Sequence, residues 1–178
     1  MSKLSIYLGE KILKRQKKRI ERQTQVHNFK TAKSAYIIFD ASSEGSFAVI
    51  KDFRKFLVSQ NITCSSIGFV NRKEVPSQLL FWENFDYITK KEINWYNKPG
   101  GEIAEAFYKA VPDILFDLTF EPPLEVQFLV QLSKASFKIG RFTEDENDYD
   151  LMINTADKYD LKYYVDQIKH YVDMLNPS

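Results

Sequence analysis

The chain has one cysteine, Cys64, and two histidines, His27 and His170. A lone thiol makes no internal disulfide and no cysteine-based zinc site, so the chain does not read as a disulfide-stapled exported protein. The two histidines stand in separate segments without a third ligand at recognisable spacing, which argues against a metal site, and Cys64 inside an apolar run reads as a small buried residue. No apolar run approaches the roughly 18 residues of a membrane span, and charges interrupt the N-terminus from Glu10 onward, where a signal peptide needs an unbroken apolar stretch. The expected location is the cytoplasm, with the inner membrane face open as a peripheral site. Phosphate-cradling glycine patterns are missing too: there is neither a G-x-G-x-x-G nor a Walker sequence. Asp113 and Asp117 flank one apolar run, but four residues along a strand separate them by about 13 Å, too far for a cooperating acid–base pair. No cofactor is indicated, and the reading leans away from an enzyme.

What the chain does have is divided charge. Its first 33 residues hold ten Lys/Arg against two acids, a net of +8, while the other 145 carry a net of −7. Such asymmetry points to a basic arm that meets a polyanion, a membrane surface or an acidic partner. The whole chain is 44% hydrophobic, 28% charged and 15% aromatic, which is enough apolar surface for a folded core. At 178 residues the economical organisation is an arm and linker over 1–33 and a single α/β domain over 34–178.

Apolar periodicity predicts a helix over 3–22, with Leu4, Leu8, Ile12 and Ile20 on one face beside Tyr7 and Leu13, followed by a polar linker. Strands are predicted at 35–40, 62–70, 87–89, 114–118, 137–142 and 151–154, and helices at 47–59, 102–110, 124–132 and 161–175. Alternation of this kind predicts a Rossmann-like, mostly parallel sheet with helices on both faces, preceded by the basic amphipathic helix. No internal repeat is present.

In open parallel sheets ligands bind beyond the carboxyl ends of the strands. The candidate ligand residues are therefore Asp40, Ser42 and Ser43 after the first strand, Asp117 and Thr119 after the fourth, and Arg141 after the fifth. Glu44 and Glu121 share those loops. The expected ligand is small and phosphorylated or sugar-like. A competing role for Ser42, Ser43 or Ser46 is to cap the following helix, while the N–H groups of Gly45 and Ser46 offer an anion a place. Gly100 and Gly101 read as a tight turn before a helix.

Lys11, Lys14, Arg15, Lys17, Lys18, Arg19 and Arg22 crowd about three helical turns, where repulsion needs an anionic partner to offset it. RNA or a ribosome would supply phosphates, and an anionic leaflet would accept the apolar face among its lipids. The third option is internal, with the stripe packed on its own domain and the charges facing the acidic body. Phe81, Trp82, Trp95 and Tyr96 form a further candidate surface, for self-association, if they are exposed together.

Two resemblances follow from motifs. The run D-I-L-F-D-L from Asp113, with the later L-V-Q-L-S-K-A-S-F-K-I-G-R-F, looks like the acceptor-side half of heptosyltransferase-type glycosyltransferases, and implies a Rossmann-like topology. The run K-A-S-F-K-I-G-R-F from Lys134, with D-L-M-I-N-T from Asp150 and Y-V-D-M-L-N from Tyr171, resembles a family of uncharacterised Bacteroidetes proteins that carry a domain of unknown function. That likeness spans most of the chain and implies no activity.

Overall fold

The computed structural model describes residues 3–43, 45–80, 82, 84–156 and 158–177, the side chain of Gln78 aside. Glu44 and Phe81, placed above in a ligand loop and an aromatic group, lie outside the described residues. Six strands, β1 (Ser34–Asp40), β2 (Thr63–Val70), β3 (Phe85–Thr89), β4 (Ile114–Asp117), β5 (Phe137–Arg141) and β6 (Leu151–Ile153), form one sheet in the order β3-β2-β1-β4-β5-β6. Every pairing is parallel. Parallel sheets are covered on both faces, which is why β4 (ILFD) is buried at every position.

Side-chain alternation sorts the core. Ile37, Phe39, Ile114, Phe116 and Ile139 point to one face and meet α2 (Ser46–Ser59) and α5 (Leu161–Met174) through Ile50, Phe53, Tyr164 and Ile168. Ile38, Ile67, Phe69 and Leu115 point to the other and meet α3 (Gly101–Lys109) and α4 (Leu124–Leu132) through Ala104, Phe107, Val126 and Leu129. The doubly wound α/β reading of the sequence is thus the observed architecture.

The basic helix α1 (Lys3–Lys17) adds a further layer on the outside of α4, where Leu13 is buried against Leu124, Phe128 and Leu132. Gly9 permits the approach, since a Cβ there would overlap the Tyr96 carbonyl oxygen. The helix stops at Lys17, five residues before the predicted end. Arg19 and Ile20 donate their N–H groups to Gln16 and Lys17 carbonyls in a tight turn, after which the chain runs without regular secondary structure. That course lets Ile20 join the α4 cluster and carries Arg22 to Asp150. Local charge periodicity continued to Arg22, and long-range pairing overrode it.

The predicted polar linker is also part of the core. Phe29 and Ala32 are 3% and 2% exposed and pack on the α2–α5 side, with Phe29 meeting Phe56 edge to face at 5.0 Å. The N-terminal segment therefore packs on both sides of the sheet, α1 over α4 on one and Phe29 beside α2 and α5 on the other. The candidate aromatic surface divides likewise. Trp82 packs at a tilt on Phe47 of α2 at 4.6 Å, whereas Tyr96 packs on Phe128 of α4, with Trp95 beside it 67% exposed.

Candidate functional site at the strand ends

Strand order reverses between β1 and β4, so the loops leaving them diverge to opposite faces and leave a crevice at their carboxyl ends. A cleft of about 820 Å³ occupies it, lined by Asp40, Ser43, Ser46, Asn71, Thr119, Glu121, Asp160 and Lys162 among others. A second chamber of about 390 Å³ lies beyond β4 and β5, lined by Gln127, Gln131, Arg141, Asp145, Asn147 and Tyr149 among others. Thr119, Phe120, Glu121 and Tyr159 line both, so the two chambers share the β4–α4 loop as their common wall.

Asp40, Ser43 and Thr119 reach the larger chamber together. Asp40 is exposed, and its Oδ1 accepts the Ser42 N–H at 2.8 Å, which shapes the turn. Ser42 is not among the lining residues; its Oγ accepts the Asn71 N–H at 3.0 Å and ties the β1 loop to the end of β2. The expectation that a serine side chain caps α2 is not met. Gly45, in the left-handed region at φ 82°, holds the cap position without a side-chain hydrogen bond. The Ser46 hydroxyl instead donates backward to the carbonyls of Asp40 (3.1 Å) and Ser43 (2.8 Å).

Asp117 lies beneath the site rather than in it. The side chain is 1% exposed. Its Oδ1 accepts the Thr119 N–H (2.9 Å) and hydroxyl (2.6 Å), and its Oδ2 accepts the Tyr149 hydroxyl (2.6 Å). Burial pushes its carboxyl above the ordinary range, and the hydrogen bonds from Thr119 and Tyr149 oppose that rise. The Tyr164 hydroxyl bonds the Asp117 carbonyl at 3.0 Å, so helices on one face and a turn on the other both hold this strand end. Burial also raises the Tyr149 and Tyr164 phenols, with the Asp117 charge adding to each.

Arg141 lines the smaller chamber with two of its five N–H donors engaged. Nε bonds Thr155 Oγ1 and Nη2 bonds the Ala156 carbonyl, both at 2.8 Å. Ala156 holds a φ of 48°, a strained region for a residue with a Cβ, and a 2.7 Å bond from its N–H to Asn154 Oδ1 supports it there. The guanidinium lies 4.8 Å from the Tyr159 ring centroid, and the Tyr159 hydroxyl donates to Glu121 at 3.2 Å. Tyr149 and Tyr159 were not among the sequence candidates. Each is an aromatic residue inside a polar, turn-forming stretch, and that contrast is the available signal.

The charges of the arm divide. Lys14 pairs with Glu146 (3.0 Å), Lys17 with Asp148 (3.2 Å) and Arg22 with Asp150, all on the acidic turn beside the smaller chamber. Lys11 lies over the Tyr7 ring at 4.4 Å, and Arg15, Lys18 and Arg19 are exposed. Leu4 and Tyr7 are 65% and 51% exposed, so the apolar stripe packs at home only from Leu8 onward. No helix among the described residues is long and apolar enough to cross a membrane, and no group of three or more metal-ligating side chains occurs among them.

No curated protein and no solved structure matches the chain. A family model described as a family of unknown function (DUF6913) matches residues 6–175, a span that takes in most of α1, the strand-end chambers and α5. The chain belongs to that family.

Proposed function

We propose that the protein binds a small polar molecule in the strand-end cleft. The observation that carries this is the pair of chambers joined at Thr119–Glu121 where the strand order reverses, walled by hydroxyl, amide, carboxylate and aromatic side chains. Asp40, Glu121, Asp145 and Asp160 outnumber the lining cations Lys162 and Arg141, of which Lys162 faces Asp166 at 2.9 Å and Arg141 is oriented by Thr155, Ala156 and Tyr159. An acid-lined cleft repels phosphate, so a sugar-like, uncharged polyol fits better than a phosphorylated ligand. A binding role is favoured over catalysis because the buried carboxyl of Asp117 is turned onto Thr119 and Tyr149.

Thermal-shift screening with neutral sugars, nucleosides and their phosphates tests this reading. Stabilisation by a neutral polyol, reduced by Tyr159→Ala or Glu121→Gln, supports it. A complete lack of response, or a response indifferent to both variants, removes it.

A second reading rests on one observation, the exposed row Lys11, Arg15, Lys18 and Arg19 on the outer side of the arm. This face would dock on phosphates of RNA or a ribosome, ahead of an anionic membrane surface because Ile12 and Leu13 pack toward the domain. Retention of the full chain on RNA at low salt, abolished by reversing those four charges, is the expected outcome. Retention on anionic vesicles alone would favour the membrane, and retention on neither would end the docking idea.

A further inference from the structure

Between β5 and β6 the chain passes from one parallel strand to the next through residues 142–150, a crossover with no helix of its own. Parallel crossovers ordinarily supply a helix to cover the sheet. Here Lys138 of β5 is 0% exposed, and its ammonium is bound by Asp148 of the crossover. Burial lowers the lysine from its ordinary value, and Asp148 opposes that fall. Lys17, at the end of α1, reaches the other oxygen of Asp148 at 3.2 Å. Two residues on, Asp150 accepts both ends of the Arg22 guanidinium, and its Oδ2 also accepts the Lys138 N–H at 2.7 Å. Tyr149 stands between these two anchors, lies flat over Gly140 where any Cβ would overlap its ring, and donates to Asp117.

We propose that Lys17 and Arg22 are positioning residues of the cleft: the basic arm clamps the turn 148–150 and thereby fixes Tyr149 as the wall between the smaller chamber and Asp117. The functional weight of the clamp rests on the ligand-binding reading above. Its strength is graded along the arm. The side chains of Arg22 and Asp150 are 15% and 16% exposed, those of Lys17 and Asp148 are 29% and 21%, and those of Lys14 and Glu146 are 65% and 69%. Exposed pairs contribute little and are screened by salt, whereas sheltered pairs hold. The outer lip at 144–147 is therefore weakly held and salt-sensitive, and the segment 148–150 is firmly held.

Hydrogen exchange on the full chain, without ligand, tests the clamp separately from the ligand reading, whose own failure would appear only in the screen. Arg22→Gln, which keeps the stem of the side chain, is expected to raise exchange at 144–150 by about tenfold or more, Lys17→Gln by roughly threefold to tenfold, and Lys14→Gln by less than about twofold, with α2 and α5 unchanged. Arg22→Lys should recover part of the protection, and raised salt should loosen 144–147 ahead of 148–150. Unchanged exchange in Arg22→Gln and Lys17→Gln would overturn the proposal. So would an increase spread equally over α2 and α5, since that marks general destabilisation instead of local positioning.

Discussion

Tyr149 donates its hydroxyl to Asp117 Oδ2 at 2.6 Å, across 32 residues of sequence, and so joins the β5–β6 turn to the carboxyl end of β4. Asp117 is buried with its carboxyl raised above the ordinary value, which sets the sign of its effect on stability. A folded-state carboxyl that holds its proton more tightly than the unfolded one favours folding at low pH, and the favour is lost as pH rises through the folded value. Asp117→Asn removes that titration while keeping an acceptor for Thr119 and a partner for Tyr149. The variant is expected to unfold within about 1 kcal/mol of the parent at pH 7, with the parent gaining on it as pH falls. Asp117→Ala strands the Thr119 N–H and the Tyr149 hydroxyl and should cost roughly 1–3 kcal/mol. Urea titrations from pH 4 to 8 separate these outcomes.

The N-terminal 33 residues are structural as well as charged. Removing them takes Phe29 and Ala32 out of the α2–α5 core and uncovers Leu124, Phe128 and Leu132 on α4. A chain beginning at Ser34 is expected to be insoluble or to lack a cooperative melt. Phe29→Ala alone should cost about 3–5 kcal/mol by leaving a cavity against Phe56. A truncated chain that melts like the parent would show that the arm is dispensable to the fold.

The strands were legible because burial on both faces writes itself as short apolar runs such as AYIIFD and ILFD. The strand-end rule pointed to Asp40, Ser43, Thr119 and Arg141, which line the two chambers, since a residue that follows a parallel strand has few other places to go. Asp117 lines neither, because alternation along β4 turns that side chain onto the α3–α4 face, where Tyr149 meets it. The end of α1 was hidden for a similar reason. Lys18 to Arg22 continue the helical charge pattern, and what stops the helix is a partner 128 residues away, Asp150. Phe29 was one aromatic in a polar stretch, and local pattern carries no sign of which core it enters.

Gly9 offers a test in which helix propensity and packing oppose each other. In an open helix Gly→Ala stabilises by about 1 kcal/mol. At Gly9 the added methyl would overlap the Tyr96 carbonyl oxygen and come within 2.8 Å of Leu124 Cδ2, so α1 must lift from α4. Gly9→Ala is expected to destabilise by roughly 1–3 kcal/mol in thermal or chemical denaturation. A stabilised variant would mean that α1 rides on the domain without close contact.

The charge of the cleft gives the last prediction. Glu121 borders both chambers and Asp145 faces the smaller one, while Arg141 is the cation on that side. Two like charges about 4 Å apart repel by roughly 1 kcal/mol in water and more in a sheltered cleft, so each carboxylate near a bound phosphate weakens it by a factor of about five or more. Neutralising both, in Glu121→Gln/Asp145→Asn, should therefore improve binding of a sugar phosphate by about 25-fold while moving a neutral sugar by only a few fold. Calorimetric titration of the two ligands against both proteins measures the difference directly. Equal changes for both would locate the ligand away from these carboxylates, and a loss confined to the neutral sugar would show that Glu121 and Asp145 act as hydrogen-bond acceptors for its hydroxyls.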